Sequence, residues 1–138
     1  MMATLYQERK MAIPEMHPEH QDYWDAAAEG RLLIKYCKSC EQYHYYPRNI
    51  CIFCMSDETV WKEATGTGII YTFSIMRRAK PAPYAIAYVE LDEGPKMMTN
   101  IVDCDLDSLE IGQKVKLVFK QTGDADNLGP YVPCFTPV

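Results

Sequence analysis

Polar and apolar positions divide the chain into two textures. Residues 18–29, Pro-Glu-His-Gln-Asp-Tyr-Trp-Asp-Ala-Ala-Ala-Glu, place Tyr23, Trp24 and Ala27 on one side of a helix. Pro18 suits a first turn, acidic residues come early, and Gly30 is a natural stop. So modest an apolar stripe serves a helix docked on the body of the protein or on a partner. Residues 1–16 are expected to form a loose arm, because Pro14 stops a helix from running through them.

Beyond the helix the pattern changes period. Residues 31–36, Arg-Leu-Leu-Ile-Lys-Tyr, read as a strand. Short runs rich in Val, Ile, Tyr, Phe and Thr then recur at 59–64, 68–76, 84–91, 96–102, 114–120 and 131–135, separated by Gly, Pro and Asp clusters. Strands of this length and spacing predict a small closed or nearly closed barrel of about five strands, similar to an OB-fold. The expected fold class is mainly β. An N-terminal arm and helix (1–30) precede a cysteine-rich insert (31–58) and a barrel (59–138).

Composition narrows the function classes. At 138 residues the chain is one domain's worth and can bury a core without obligatory disulfides. Its 24% charged residues sum to a net charge of −5, and neither side of residue 60 is basic. A general binder of phosphate backbones is therefore disfavoured, and no nucleic acid is expected as partner. No apolar run approaches the roughly 18 residues of a membrane span, and the N-terminus lacks the pattern of a signal peptide. The expected location is the cytoplasm.

The cysteines carry the strongest signal. Cys37-Lys-Ser-Cys40 and Cys51-Ile-Phe-Cys54 are two C-x-x-C pairs ten residues apart. Each pair forms a tight turn with two sulfurs facing one point, and two such turns give tetrahedral S₄ coordination. Soft thiolates in that geometry select Zn²⁺, with iron as the alternative. Four protein ligands leave no open position, so the site is expected to be structural. His44, between the pairs, is expected to be a hydrogen-bonded ribbon residue rather than a replacement ligand.

Cys104, between two aspartates, and Cys134, in an apolar strand, read as inert. Asp103, Asp105 and Asp107 begin like a calcium loop, but Ser108 and Lys114 stand where its glycine and glutamate belong. Glu90, Asp92 and Glu93 read as a hairpin turn. Arg48 reads as a structural arginine paired with a carboxylate. No catalytic residue can be named.

Several stretches, in order and at characteristic spacing, identify a family resemblance over roughly residues 23–120. They are Tyr23-Trp24, Gly30-Arg31-Leu32, the paired cysteines, Tyr46-Pro47-Arg48 and Trp61. Gly66-Thr67-Gly68-Ile69-Ile70-Tyr71-Thr72, Pro83-Tyr84, Val89-Glu90-Leu91-Asp92-Glu93-Gly94 and Ile111-Gly112 follow. Together they resemble the zinc-ribbon plus OB-fold proteins of the domain-of-unknown-function-35 (DUF35) family. The chain departs from that pattern at Glu41, where glycine is usual, and at Tyr46 and Ile52, where proline is common.

The resemblance implies a rubredoxin-like zinc ribbon followed by an OB-fold barrel. It implies a non-catalytic accessory subunit in a hetero-oligomer with a thiolase-like catalytic subunit, a heterotetramer by symmetry. The reaction would be carbon–carbon cleavage or formation on an acyl-CoA, such as an aromatic or steroid acyl-CoA; benzoylsuccinyl-CoA is one example. Coenzyme A would be contacted together with the partner. The basic cluster Arg77, Arg78 and Lys80 suits a CoA phosphate or a partner, or is a solvated loop. Tyr43, Tyr45, Tyr46 and Trp24 are candidates for the partner interface, with core packing as the alternative. The competing reading is a nucleic-acid-binding module, since zinc ribbons and OB barrels both occur there.

Overall fold

The computed structural model of the chain describes residues 4–138. Pro18–His20 forms a 3-10 turn that leads into helix α1, Gln21–Ala28. The helix stops at Gly30, whose φ of +81° lets its N–H reach back to the carbonyl of Ala27. Its buried side is Tyr23, Trp24, Ala26 and Ala27. The helix therefore docks on the body of the protein.

Two sheets follow. In the first, β1 (Leu33–Cys37) lies between β2 (Gln42–His44) and β3 (Thr59–Glu63), both antiparallel to it. β3, expected to run with the barrel, thus extends the sheet that carries the cysteines. The second sheet closes on itself in the order β4 (Thr67–Met76), β5 (Tyr84–Leu91), β6 (Lys96–Ile101), β8 (Asn127–Pro137), β7 (Lys114–Asp124). All its neighbours are antiparallel except β6 and β8, which meet in parallel at Ile101 and Phe135. That order is the five-stranded Greek-key barrel of the OB-fold.

Alternation along β5 shows how the barrel fills: Ala85, Ala87, Val89 and Leu91 point inward. They meet Ile70, Met97, Ile101, Val115 and Phe135, and the same core continues into Tyr23 and Trp24 of the helix and Leu32 and Ile34 of the ribbon. Helix, ribbon and barrel consequently share one apolar cluster.

β7 and β8 run further than expected, joined by a tight turn in which Asp124 Oδ1 accepts the N–H groups of Asp126 and Asn127. Gly129, Pro130 and Pro133 look like breakers in the sequence. In β8 they are tolerated because its edge toward β6 holds only the single Ile101–Phe135 pair.

The arm is not loose over its described part. Leu5 bridges to Asp105 and Met11 to Gly123, and the Tyr6 N–H donates to the carbonyl of Cys104 at 2.9 Å. Residues 1–3 lie outside the described residues. No helix of the described residues is long and apolar enough to cross a membrane.

Candidate metal centre

The two knuckles are built alike. In the first, the Glu41 N–H donates to the carbonyl of Cys37 at 2.8 Å; in the second, the Met55 N–H donates to that of Cys51 at 3.0 Å. Closing each turn forces the residue after it into the left-handed region, with φ of 59° at Glu41 and 67° at Met55. The Lys38 N–H to Glu58 carbonyl bond, 2.9 Å, ties the first knuckle to the start of β3.

The four sulfurs of Cys37, Cys40, Cys51 and Cys54 all lie within 4.8 Å of one another. Cys37–Cys54 and Cys40–Cys51 are each 3.6 Å apart. A tetrahedron with metal–sulfur bonds of about 2.3 Å has edges of about 3.8 Å, so the quartet fits one zinc ion. Cys37 and Cys51 are fully buried, while Cys54 is exposed at the rim.

Two thiols of the quartet differ in how readily they ionise. Burial pushes the Cys40 thiol up to about 12, reinforced by its bonds to the other sulfurs. Burial also opposes the Cys51 thiolate, but the N–H groups of Cys54 and Phe53 aim at its sulfur and bring it down to about 7. A bound dication deprotonates all such ligands outright. His44 is not part of the quartet. Its Nε2 accepts the Arg48 N–H at 3.3 Å, and burial holds its pKa below the ordinary histidine value.

The other candidate residues are distributed unevenly. Trp24 is only 7% exposed and packs edge-on to Tyr23 at 4.9 Å, so it belongs to the core and not to a partner surface. The Tyr45 hydroxyl meets that of Tyr23 at 2.8 Å, and burial raises both phenol pKa values well above their ordinary range. Tyr46 is exposed; its hydroxyl reaches His20 Nδ1 at 3.5 Å, while His20 Nε2 bonds the Pro47 carbonyl at 2.8 Å. That chain of bonds fastens the helix to the ribbon. Tyr43 is half-buried against Tyr36.

Arg77 is held by Asp107, with Nε and Nη2 at 2.9 and 2.7 Å from the same carboxylate oxygen. Arg78 and Lys80 are exposed and make no ion pair among the described residues. The three aspartates are spent locally: Asp105 accepts the N–H groups of Thr4 and Asp107, Asp107 holds Arg77, and Asp103 holds Lys120. Arg48 does not pair with a carboxylate among the described residues; only its backbone is engaged, with His44.

One surface was missed. Ile50, Ile52, Phe53 and Met55 are all exposed around the second knuckle, Met55 by 75%. The signal was in the letters Ile-Cys-Ile-Phe-Cys-Met, because apolar residues in a tight surface turn have no core to enter.

Comparison with known proteins agrees with this architecture. The rubredoxin-like zinc ribbon domain of ChsH2 matches residues 24–60, and the C-terminal OB-fold domain of ChsH2 matches residues 61–120. A DUF35 domain-containing scaffold protein of Methanocaldococcus jannaschii is 37% identical over 112 residues, spanning 74% of this chain and 78% of that protein. A probable enoyl-CoA hydratase alpha subunit of Thermomonospora curvata is 33% identical over 108 residues. The match there covers 75% of this chain and 34% of the relative, so the chain spans about a third of that protein. Among solved structures, a chain of an Ltp2-ChsH2(DUF35) aldolase superposes with a TM-score of 0.75 at 32% identity, over 90% of this chain and 98% of that one.

Proposed function

The chain belongs to the DUF35 family of zinc-ribbon and OB-fold proteins, and we propose that it is a non-catalytic accessory subunit of an acyl-CoA enzyme. The observation that carries this reading is its likeness, over nearly the full length of both chains, to a DUF35-bearing chain of an aldolase assembly. The relative named as a hydratase alpha subunit supports the same direction. The catalytic partner is of the thiolase type, acting on a carbon–carbon bond of an acyl-CoA.

The chain's own residues have three tasks in that reading. Cys37, Cys40, Cys51 and Cys54 hold a structural zinc, which cross-links the ribbon and supplies no chemistry. The rigid ribbon presents Tyr43 and Tyr46, with the apolar second knuckle, to the partner. Arg78 and Lys80, with Arg77 where Asp107 releases it, meet a phosphate of coenzyme A or an acidic patch of the partner.

The test is affinity capture of the chain from its native lysate, with the retained proteins identified by mass spectrometry. A stoichiometric thiolase-like protein supports the proposal. Recovery of the chain alone, or with nucleic acid, overturns it.

A further inference from the structure

The outer face of the barrel carries an exposed apolar surface of its own. Alternation along β5 turns Tyr84, Ile86, Tyr88 and Glu90 outward while the residues between them fill the core. Tyr88 lies opposite Thr72 of β4 and Met98 of β6, and Ile69 lies opposite Glu90. The register slips between Ile70 and Thr72; Tyr71 sits in that irregularity, its ring centre 4.8 Å from Lys96 Nζ. Ile69, Tyr71, Tyr88 and Met98 are all exposed, Tyr71 by 55% and Met98 by 59%. Beside Ser74, Ile86, Tyr88 and Met98 the face dips into a depression of about 150 Å³, room for one apolar side chain.

Charge on this face runs against that of the whole chain. The net charge is −5, yet residues 69–74, 84–90 and 96–100 contain one carboxylate, Glu90. Three cations stand against it. Lys96 lies over Tyr71, and Lys114 of β7 is opposite Ile69. The Arg9 guanidinium is 4.3 Å from the centre of the Tyr84 ring and bonds Asn100 Oδ1. None of the three forms an ion pair among the described residues. Arg78 and Lys80 lie in the connection from β4 to β5, next to Tyr84. Tyrosine, methionine and arginine are the residues that protein interfaces favour. A second copy of the chain would set these cations against one another, whereas an acidic surface is drawn to them.

We propose that this face of β4, β5 and β6 is where the catalytic partner docks, through an acidic surface with an apolar side chain that fills the depression beside Tyr88 and Met98. The docking rests on the accessory-subunit reading and adds the barrel to the ribbon surface that meets the partner.

The test takes the catalytic partner recovered by affinity capture, purifies it, and measures its binding to the full-length, zinc-loaded chain. Parent, Tyr88→Ala and Lys96→Glu are compared, each checked for zinc content and Tm. Tyr88→Ala is expected to weaken binding about tenfold or more, as loss of a central aromatic anchor requires. Lys96→Glu weakens binding at low salt and flattens its dependence on salt. On the unaltered complex, hydroxyl-radical footprinting should show Tyr71, Tyr88 and Met98 protected relative to the free chain. Three results each overturn the proposal: Tyr88→Ala binding within about twofold of the parent, binding that neither salt nor Lys96→Glu alters, or Met98 oxidised as fast in the complex as in the free chain while Met55 of the knuckle is protected. Recovery of no catalytic partner would instead remove the accessory-subunit reading, and this docking with it.

Discussion

Glu41 and Met55 occupy equivalent places on the two cysteine knuckles, each donating its N–H to the first cysteine of its pair from a left-handed backbone. Neither is glycine, so each meets the Cβ–carbonyl crowding that makes this region cost about 1–2 kcal/mol. Glycine removes that cost but gives back about 0.5–1 kcal/mol as freedom of the unfolded chain. Glu41→Gly and Met55→Gly are therefore each expected to stabilise the zinc-loaded chain by up to about 1 kcal/mol, a few degrees in Tm. Thermal denaturation at fixed zinc content measures this. A lower Tm for both variants would mean that the side chains contribute more than the backbone loses.

The metal itself is tested by analysis and by chelation. The purified chain is expected to be colourless and to carry one zinc, held by the four sulfurs that converge within 4.8 Å. Cys37→Ser, which removes a fully buried ligand, should drop zinc well below one equivalent and speed amide exchange through β1, β2 and β3. A red protein with one iron, or zinc retained in full by Cys37→Ser, would contradict the assignment.

The barrel has its own tight point. A Cβ placed on Gly68 would lie 2.5 Å from the carbonyl oxygen of Glu90 and 2.9 Å from Val89 Cγ1. Both neighbours are in the paired strand and the nearer one is backbone, so relief requires moving backbone. Gly68→Ala is expected to destabilise the chain by about 2–3 kcal/mol, the upper range for overpacking. Urea unfolding checks it; a loss under about 0.5 kcal/mol would show that β4 and β5 separate freely at that register.

Much of this architecture was legible in the letters. The helix, the barrel strands near 84–91 and 96–102, and the metal quartet all follow from local signals: periodicity of the side chains, Pro18 and Gly30 as punctuation, and thiol spacing. What the sequence hid was non-local. β3 is apolar enough for a barrel strand, and only its pairing with β1 assigns it to the ribbon sheet. Trp24 looks like an interface aromatic until the barrel and ribbon close over it. The arm's attachment rests on bonds across about a hundred residues, as between Thr4 and Asp105, which no local pattern encodes. Arg77 reads as a free cation beside Arg78 because its partner, Asp107, comes thirty residues later.

The two cysteines outside the quartet are expected to be unreactive. Burial pushes the Cys134 thiol up to about 12. Burial, then Asp105 and Asp103, also raise that of Cys104. At pH 8 little thiolate is present at either, and the thiolate is the nucleophile. Iodoacetamide on the native zinc-loaded chain should leave both unmodified over a time that fully labels the urea-unfolded chain. Rapid native labelling of Cys134 would reopen the question of a nucleophile on this subunit.

Lys120 binds the arm to the barrel, with Nζ 2.6 Å from Glu8 and 2.9 Å from Asp103. Burial alone would lower its pKa, but the two carboxylates outweigh that and raise it above 10.5. A raised lysine pKa means the folded state holds the proton more tightly than the unfolded one. The contribution is therefore complete below about pH 10.5 and is lost as pH climbs through the higher folded value. Its size is about 1 kcal/mol, because Glu8 is largely in solvent. Lys120→Met should unfold at lower urea than the parent chain at pH 7, with the gap constant to about pH 10 and narrowing above it. At neutral pH the same variant should speed exchange of the Tyr6 amide, whose bond to Cys104 anchors the arm. A gap that persists undiminished at pH 12, or an unchanged Tyr6 amide, would show that the arm is held by its apolar contacts and backbone bridges instead.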